Sequence, residues 1–333
     1  MNDELISVIM STCNTKKEYL ETAVKSILNQ TYKNIELIIV IDGGNDLEVL
    51  SEIKDNRIHI VQYAERKGLA TRLNEAIEIA RGKYIARMDS DDYSLENRLM
   101  TQYRFMEKHA DIDICSSFAK QFDEGQKYMY NIWKKPEKLQ CQLFFTNILV
   151  HPAVMFRRQF LIENNLKYST DYMYSQDFEF WTRISKKGRI AIIPEILLMY
   201  RVHKNQVSTD KKEKQRELYE SVLIRNLEEL NLEKENIKYI KMLNGSNENI
   251  NFKEVKIFIK KVIEENRKVK IYNQRYLKNV LYNVLNNLYL KRKKIDIVEI
   301  LKWYNINYFL RKIYLKLKIT KNFKLNKKGI VKG

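Results

Sequence analysis

The chain has 333 residues, 44% hydrophobic and 31% charged, enough apolar material for a large packed domain plus a smaller one, which excludes global disorder. Its net charge of +18 is uneven: residues 1–203 hold 28 Lys and Arg against 28 Asp and Glu, and residues 204–333 hold 32 against 14, so the second part needs an anionic partner or a well-solvated surface. Three scattered cysteines, Cys13, Cys115 and Cys141, exclude a CxxC zinc or redox pair and read as reduced thiols of a cytosolic protein. The acidic start Met1-Asn2-Asp3-Glu4 does not read as a signal peptide, and no run of about 18 apolar residues predicts a membrane span.

Residues 5–10 (LISVIM) form an apolar run of buried-strand type that ends in Ser11-Thr12-Cys13-Asn14. Leu20, Val24, Ile27 and Leu28 follow at helical spacing over 18–29. Residues 35–41 (IELIIVI) give a second buried strand closed by Asp42-Gly43-Gly44, 58–63 a third, and 69–80 an amphipathic helix stopped by Gly82. A fourth strand over 84–88 runs into Asp89-Ser90-Asp91-Asp92, with a helix expected over 95–108. Alternating apolar strands and helices predict an α/β domain built on a parallel sheet covered on both faces. Ligands of such sheets sit at the carboxyl ends of the strands, where Thr12–Asn14, Asp42 and Asp89–Asp92 converge. Beyond about residue 112 the order is less regular, with strands over 153–156 and 197–202 and a helix over 178–187. From about 213 the pattern is helical and polar, broken at Gly245-Ser246-Asn247.

Five clusters carry chemistry, each with a plainer alternative, which for the last, Arg201 and His203, is that a lone histidine is usually structural. Asp89 and Asp91, two residues apart on a tight turn, can face one hard divalent cation, or can be solvated acids capping a helix. Asp42 can accept a nucleobase N–H, or serve only as a turn aspartate. In Arg66-Lys67-Gly68-Leu69-Ala70-Thr71-Arg72, Gly68 admits a ligand close to the backbone while Arg66 and Arg72 reach a diphosphate; a basic helix start is the alternative. Asp177, at a helix start among Phe178, Phe180 and Trp181, suits a partly desolvated general base, or a cap over a core. Arg201 and His203 share one face of a strand.

In this order the clusters resemble the family 2 glycosyltransferases, inverting enzymes of the GT-A fold. The matching stretches are SVIMSTCN, the helix end SILNQTY, IELIIVIDGG, RKGLATRLNEAI, GKYIARMDSDD, HPAVMFRR, YSQDFEFWTRI and YRVHKNQVS, together covering residues 5 to about 208. The resemblance implies a GT-A (nucleotide-diphospho-sugar transferase, Rossmann-like) catalytic domain over 1–210 and a mostly α-helical basic region over 211–333. It implies a nucleotide-sugar donor, taken as a UDP-sugar, contacted by Thr12, Asn14, Asp42, Arg66, Gly68, Arg72, Asp89 and Arg201. Mn²⁺ or Mg²⁺ is expected on Asp91 and His203, and Asp177 is expected as the base. Gln176 departs from the family, in which an acid commonly precedes the base. A QxxRW pattern of processive synthases is absent, which favours single addition; the resemblance implies a cell-surface glycan or lipid-linked acceptor, as in capsule or lipooligosaccharide synthesis.

Residues 291–333 hold 14 Lys and Arg against 2 Asp and Glu, interleaved with Trp303, Tyr304, Tyr308, Phe309 and Tyr314. That mixture suits an anionic membrane surface, placing the protein in the cytoplasm at the inner face of the membrane, or a helical bundle packed on its neighbours. A noncatalytic nucleic-acid- or glycan-binding protein is the rival; no nucleic-acid recognition motif is present, and nucleic acid is not expected as a partner. A dinucleotide-dependent oxidoreductase is disfavoured because no GxGxxG follows the first strand.

Overall fold

The computed structural model describes residues 3–124, 127–130, 135–203, 212–245 and 251–291. The chain divides into two compact units: residues 1–131 with 149–219, and residues 132–148 with 220 onward.

The first unit is built on a nine-stranded sheet. Its strands are β1 (Ile6–Thr12), β2 (Ile35–Asp42), β3 (Ile58–Tyr63), β4 (Tyr84–Asp89), β5 (Tyr93–Ser94), β6 (Ile114–Asp123), β7 (Tyr128–Met129), β8 (Met155–Arg157) and β9 (Ile190–Val202). They run in the order β3-β2-β1-β4-β8-β6-β9-β5, with β7 paired to β6. β1 is parallel to β2 and β4, with Thr12 opposite Ile41 and Ser11 opposite Asp89, so the ends of the central strands lie level. β2 is buried throughout and β1 nearly so, as continuous apolar runs require. Helices α1 (Lys17–Leu28), α2 (Asp46–Ser51), α3 (Leu69–Ile79), α4 (Arg98–Lys108), α6 (Arg158–Glu163) and α7 (Gln176–Ile184) complete the unit, with the start of α8 (Lys212–Glu228). Leu20, Val24 and Ile27 of α1 join Val8, Met10, Ile39, Met88 and Leu198 in one core.

Several expectations shift. Residues 114–123 are a ten-residue strand that the irregular pattern concealed. The strand expected over 197–202 begins at Ile190, and its Pro194 coincides with a register shift against β6 at Ser117 and Phe118. Proline cannot donate to a ladder, so the sheet admits it only at such an irregularity. Residues 151–153 form a single 3₁₀ turn ahead of β8 rather than the start of a strand.

The described part of the second unit is helical: α5 (Pro136–Leu143), the remainder of α8, α9 (Ile237–Leu243), α10 (Phe252–Val269) and α11 (Gln274–Lys291). α10 buries Val255, Phe258, Ile259, Val262 and Ile263, a stripe at helical spacing. Asn251 caps its first turn and Lys270, at φ 57°, ends it. Asparagine side chains tie the unit together, with Asn226 Nδ2 donating to the carbonyls of Leu143 and Phe144 and Asn244 Nδ2 to that of Phe145. Residues 135–148, expected in the first domain, fall within the second unit. Among the described residues no helix is long and apolar enough to cross a membrane. The basic segment singled out above lies, from residue 292 on, outside the described residues.

Candidate active site

The loops after β1 and β2 are fastened to one another. Asp46, the first residue of α2, accepts hydrogen bonds from the Asn14 amide at 2.7 Å, the Thr15 amide at 2.9 Å and Thr12 Oγ1 at 3.1 Å. Asn14 is held at φ 53°, and its Oδ1 accepts from the Asn45 amide. A Cβ at Gly44 would come within 2.1 Å of that oxygen, so the second glycine of Asp42-Gly43-Gly44 is needed for the close approach.

Asp42 ends β2 beneath the next loop. Its Oδ1 accepts from the Lys67 amide at 2.8 Å and from Arg72 Nε at 2.7 Å, and its Oδ2 from the Gly68 amide at 2.8 Å. Burial pushes this carboxyl up, but the Lys67 amide, Arg72 and the Gly68 amide outweigh it and hold it below the usual carboxylate range. Gly68 has φ 87° with open space where a Cβ would stand, so backbone conformation rather than crowding calls for glycine.

The acid turn follows β4. Asp89, Asp91 and Asp92 bring carboxylate oxygens within 4.8 Å of one another. Asp89 pairs with the buried Arg87 on the same strand. Burial raises the Asp89 carboxyl; Arg87 opposes this, and Asp91 and Asp177 add to it. Asp92 is fully buried: Oδ1 accepts from the Arg201 amide at 2.8 Å, whereas Oδ2 has no hydrogen-bond partner. Arg201 Nε donates to the Asp91 carbonyl at 2.6 Å, and the same guanidinium pairs with Asp123 and lies over the Tyr19 ring at 4.0 Å. His203 Nε2 lies 3.1 Å from Asp91 Oδ2.

Asp177 stands half-buried in the first turn of α7. Its charge is felt at Asp89 and at Tyr168, whose phenol burial already pushes far up. Tyr168 is fixed by the Asn74 side chain, whose Oδ1 accepts from the Tyr168 amide at 2.8 Å and whose Nδ2 donates to the Tyr168 carbonyl at 2.9 Å, and the Tyr168 hydroxyl lies 2.9 Å from His151 Nε2. Burial, then the Arg87 charge, keeps His151 well below the usual histidine range and hence neutral. Behind α7, Gln215 donates to the Tyr174 carbonyl and Phe178 stacks on Tyr219 at 4.6 Å. Gln176 is buried.

Thr12, Asn14, Asp42, Gly68, Asp89, Asp91 and His203 therefore lie in or beside the loops at the ends of β1, β2, β3, β4 and β9, and Arg66 is exposed beside Gly43. Two of the expected nucleotide-sugar contacts, Arg72 and Arg201, have their side chains engaged within the protein. Arg72 is completely buried, its donors taken by Asp42, Glu75 and the Glu65 carbonyl and its guanidinium stacked 3.9 Å over Tyr63, so it supports Asp42 from beneath. Arg201 is nearly buried and braces the acid turn. No individual role is read from the sequence for Asp46, Asp92 or Arg87. Asp46 follows the Asp42-Gly43-Gly44 turn, Asp92 closes the Asp89–Asp92 cluster, and Arg87 is a charged residue inside an apolar strand pattern, which is itself a signal.

A central parallel sheet with loops fastened at its carboxyl end, an acid turn after the fourth strand and a carboxylate on a later helix define a nucleotide-sugar transferase of the GT-A type. The fold matches the crystal structure of S. aureus TarS residues 1–349, with TM-score 0.57, 17% identity and coverage of 87% of this chain and 91% of that one; the same fragment has also been solved in complex with UDP. Residues 7–164 match the family model of Glycosyl transferase family 2. An uncharacterized glycosyltransferase of Haemophilus influenzae is 31% identical over 97% of both chains. The UDP-Glc:alpha-D-GlcNAc-diphosphoundecaprenol beta-1,3-glucosyltransferase WfaP of Escherichia coli is 32% identical over 62% of this chain and 81% of its own. The chain belongs to glycosyltransferase family 2.

Proposed function

We propose that this glycosyltransferase moves one sugar from a UDP-sugar to a hydroxyl of a cell-surface glycan or lipid-linked acceptor, inverting the anomeric centre. The observation that carries the reading is the joining of Asp42, the Thr12–Asn14 loop and the acid turn at one rim, with the Asp177 charge acting on Asp89. Asp42 Oδ2 keeps acceptor capacity beyond its bond from Gly68, which suits the N–H of a uracil. Arg66, exposed beside Gly43 at this rim, is the cation assigned to the diphosphate in this reading.

The three carboxylates suit Mn²⁺ or Mg²⁺, because one Arg87 leaves the turn with excess negative charge and Asp92 Oδ2 is a buried oxygen without a partner. Asp91, with Asp92 and His203 beside it, would hold such an ion, which when bound neutralises charge on the leaving diphosphate. Asp177 accepts the proton of the acceptor hydroxyl on the opposite side of the sugar, and one displacement inverts the centre without a covalent intermediate. The UDP and lipid-linked acceptor in WfaP's name, and the UDP complex of TarS, favour this donor and acceptor class.

A panel of nucleotide diphosphates tests the donor. At about 100 times its Kd, UDP should raise the melting temperature by roughly 5–10 °C in the presence of Mn²⁺, whereas GDP should not. Stabilisation by GDP alone would overturn the uridine reading.

Residues 291–333, with 14 basic residues against 2 acidic, fit a peripheral role on the cytoplasmic face of a membrane. Full-length protein should bind anionic vesicles and leave them at high salt, because the attraction fades within about 8 Å at physiological ionic strength. A chain cut before Lys291 should bind them less. Equal binding of both removes the membrane role.

A further inference from the structure

The loop after β1 and the acid turn after β4 are joined by a chain of hydroxyl groups. Thr12 Oγ1 donates to Asp46 Oδ2 at 3.1 Å. Thr15 Oγ1 lies 2.9 Å from Thr12 Oγ1 and 2.7 Å from Ser90 Oγ, between Asp89 and Asp91. A hydroxyl carries one proton, and an ionised carboxylate only accepts. Burial pushes the Asp46 carboxyl up, opposed by the Asn14 amide, Thr12 Oγ1 and the Thr15 amide; all three bonds run into its oxygens, so it stands here as the accepting carboxylate. Thr12 has given its proton to Asp46, so the bond between Thr12 and Thr15 needs the Thr15 proton. The bond between Thr15 and Ser90 then needs the Ser90 proton. The direction is set throughout: Ser90 donates to Thr15, Thr15 to Thr12, and Thr12 to Asp46.

We propose that this relay locks the acid turn to the nucleoside loop and makes Ser90 Oγ a pure acceptor, whose lone pairs receive a hydroxyl or cation-bound water of the nucleotide–cation unit. Thr15 is a positioning residue that acts through Ser90, and Asp46 is its anchor. The inference rests on the reading that this rim binds UDP with a divalent cation. Hydrogen bonds in such a chain polarise one another, so its links do not contribute independently. Arg201 braces the far side of the same turn, through Asp92 and the Asp91 carbonyl, so loss of the relay frees one side and leaves the turn in place.

The test is a double-mutant cycle read as UDP affinity by titration calorimetry with saturating Mn²⁺. Thr15→Val and Ser90→Ala should each weaken UDP by about threefold to tenfold, and the double variant should lose no more than the worse single one. Thr15→Ser keeps a hydroxyl and should restore affinity to within about twofold of wild type. Uridine, which lacks the diphosphate, should lose less than UDP in both single variants, separating the relay from a collapsed nucleoside loop. Additive losses, failure of Thr15→Ser to restore binding, or equal losses for uridine and UDP would overturn the relay. If the wild type binds no UDP, the donor reading itself fails and the relay falls with it. If the wild type binds UDP and the losses are additive, the relay alone is wrong.

Discussion

Replacing Asp177 by asparagine should lower sugar transfer by about 10²–10⁴-fold, the usual contribution of a general base, and leave UDP affinity close to that of the wild type. The substitution is nearly isosteric and removes the negative charge and, with it, the ability to take a proton. Its surroundings are built to survive it, since Tyr168 is held by Asn74, and the segment ahead of α7 is held by Gln215. Because the Asp177 charge acts on Asp89, the variant should bind the divalent ion slightly less tightly, a lesser effect than the loss of turnover. Turnover and UDP affinity measured on the same preparation decide the matter. Unchanged turnover, or a loss confined to UDP affinity, would mean that the base lies elsewhere.

Excess chelator, or Asp91→Ala, should abolish transfer, and Mn²⁺ or Mg²⁺ should restore the wild type but not the variant. Of the three clustered acids Asp91 is the informative one to remove. Asp89 is already paired with Arg87, and Asp92 anchors the Arg201 amide, so substitution of either disturbs the fold of the turn as well as any ion. Asp91 spends its side chain on His203, on the partly open face of the turn. Full turnover in excess chelator would sink the requirement for a metal.

The central strands and the loops at their ends were readable because apolar runs as continuous as ISVIM and IELIIVI have few alternatives to a buried parallel sheet. The acid turn, Asp42 and the start of α7 stood out as charged residues at the ends of such runs. What escaped was the part of the chemistry that depends on long-range pairing. Nothing near Arg72 reveals that its guanidinium is closed in by Asp42 and Tyr63, thirty and nine residues earlier. Arg201 similarly finds Asp91 and Asp92 only when β9 has crossed the sheet. β6 was missed because Ser116, Ser117, Lys120 and Gln121 interrupt its apolar pattern, while its pairing with β9 supplies the stability that the local sequence does not announce.

The chain leaves the first unit at residue 131, builds α5, and returns at residue 149. Leu139, Cys141, Leu143 and Phe144 in that excursion are buried, and the carbonyls of Leu143 and Phe144 are met by Asn226, far along the sequence. A gene cut after the sheet would therefore carry away the partner of a segment it left behind, leaving the apolar side chains of Leu139, Cys141, Leu143 and Phe144 uncovered. The helical unit draws on two separate stretches of the chain, so engineering a change of its helices has to exchange both pieces at once.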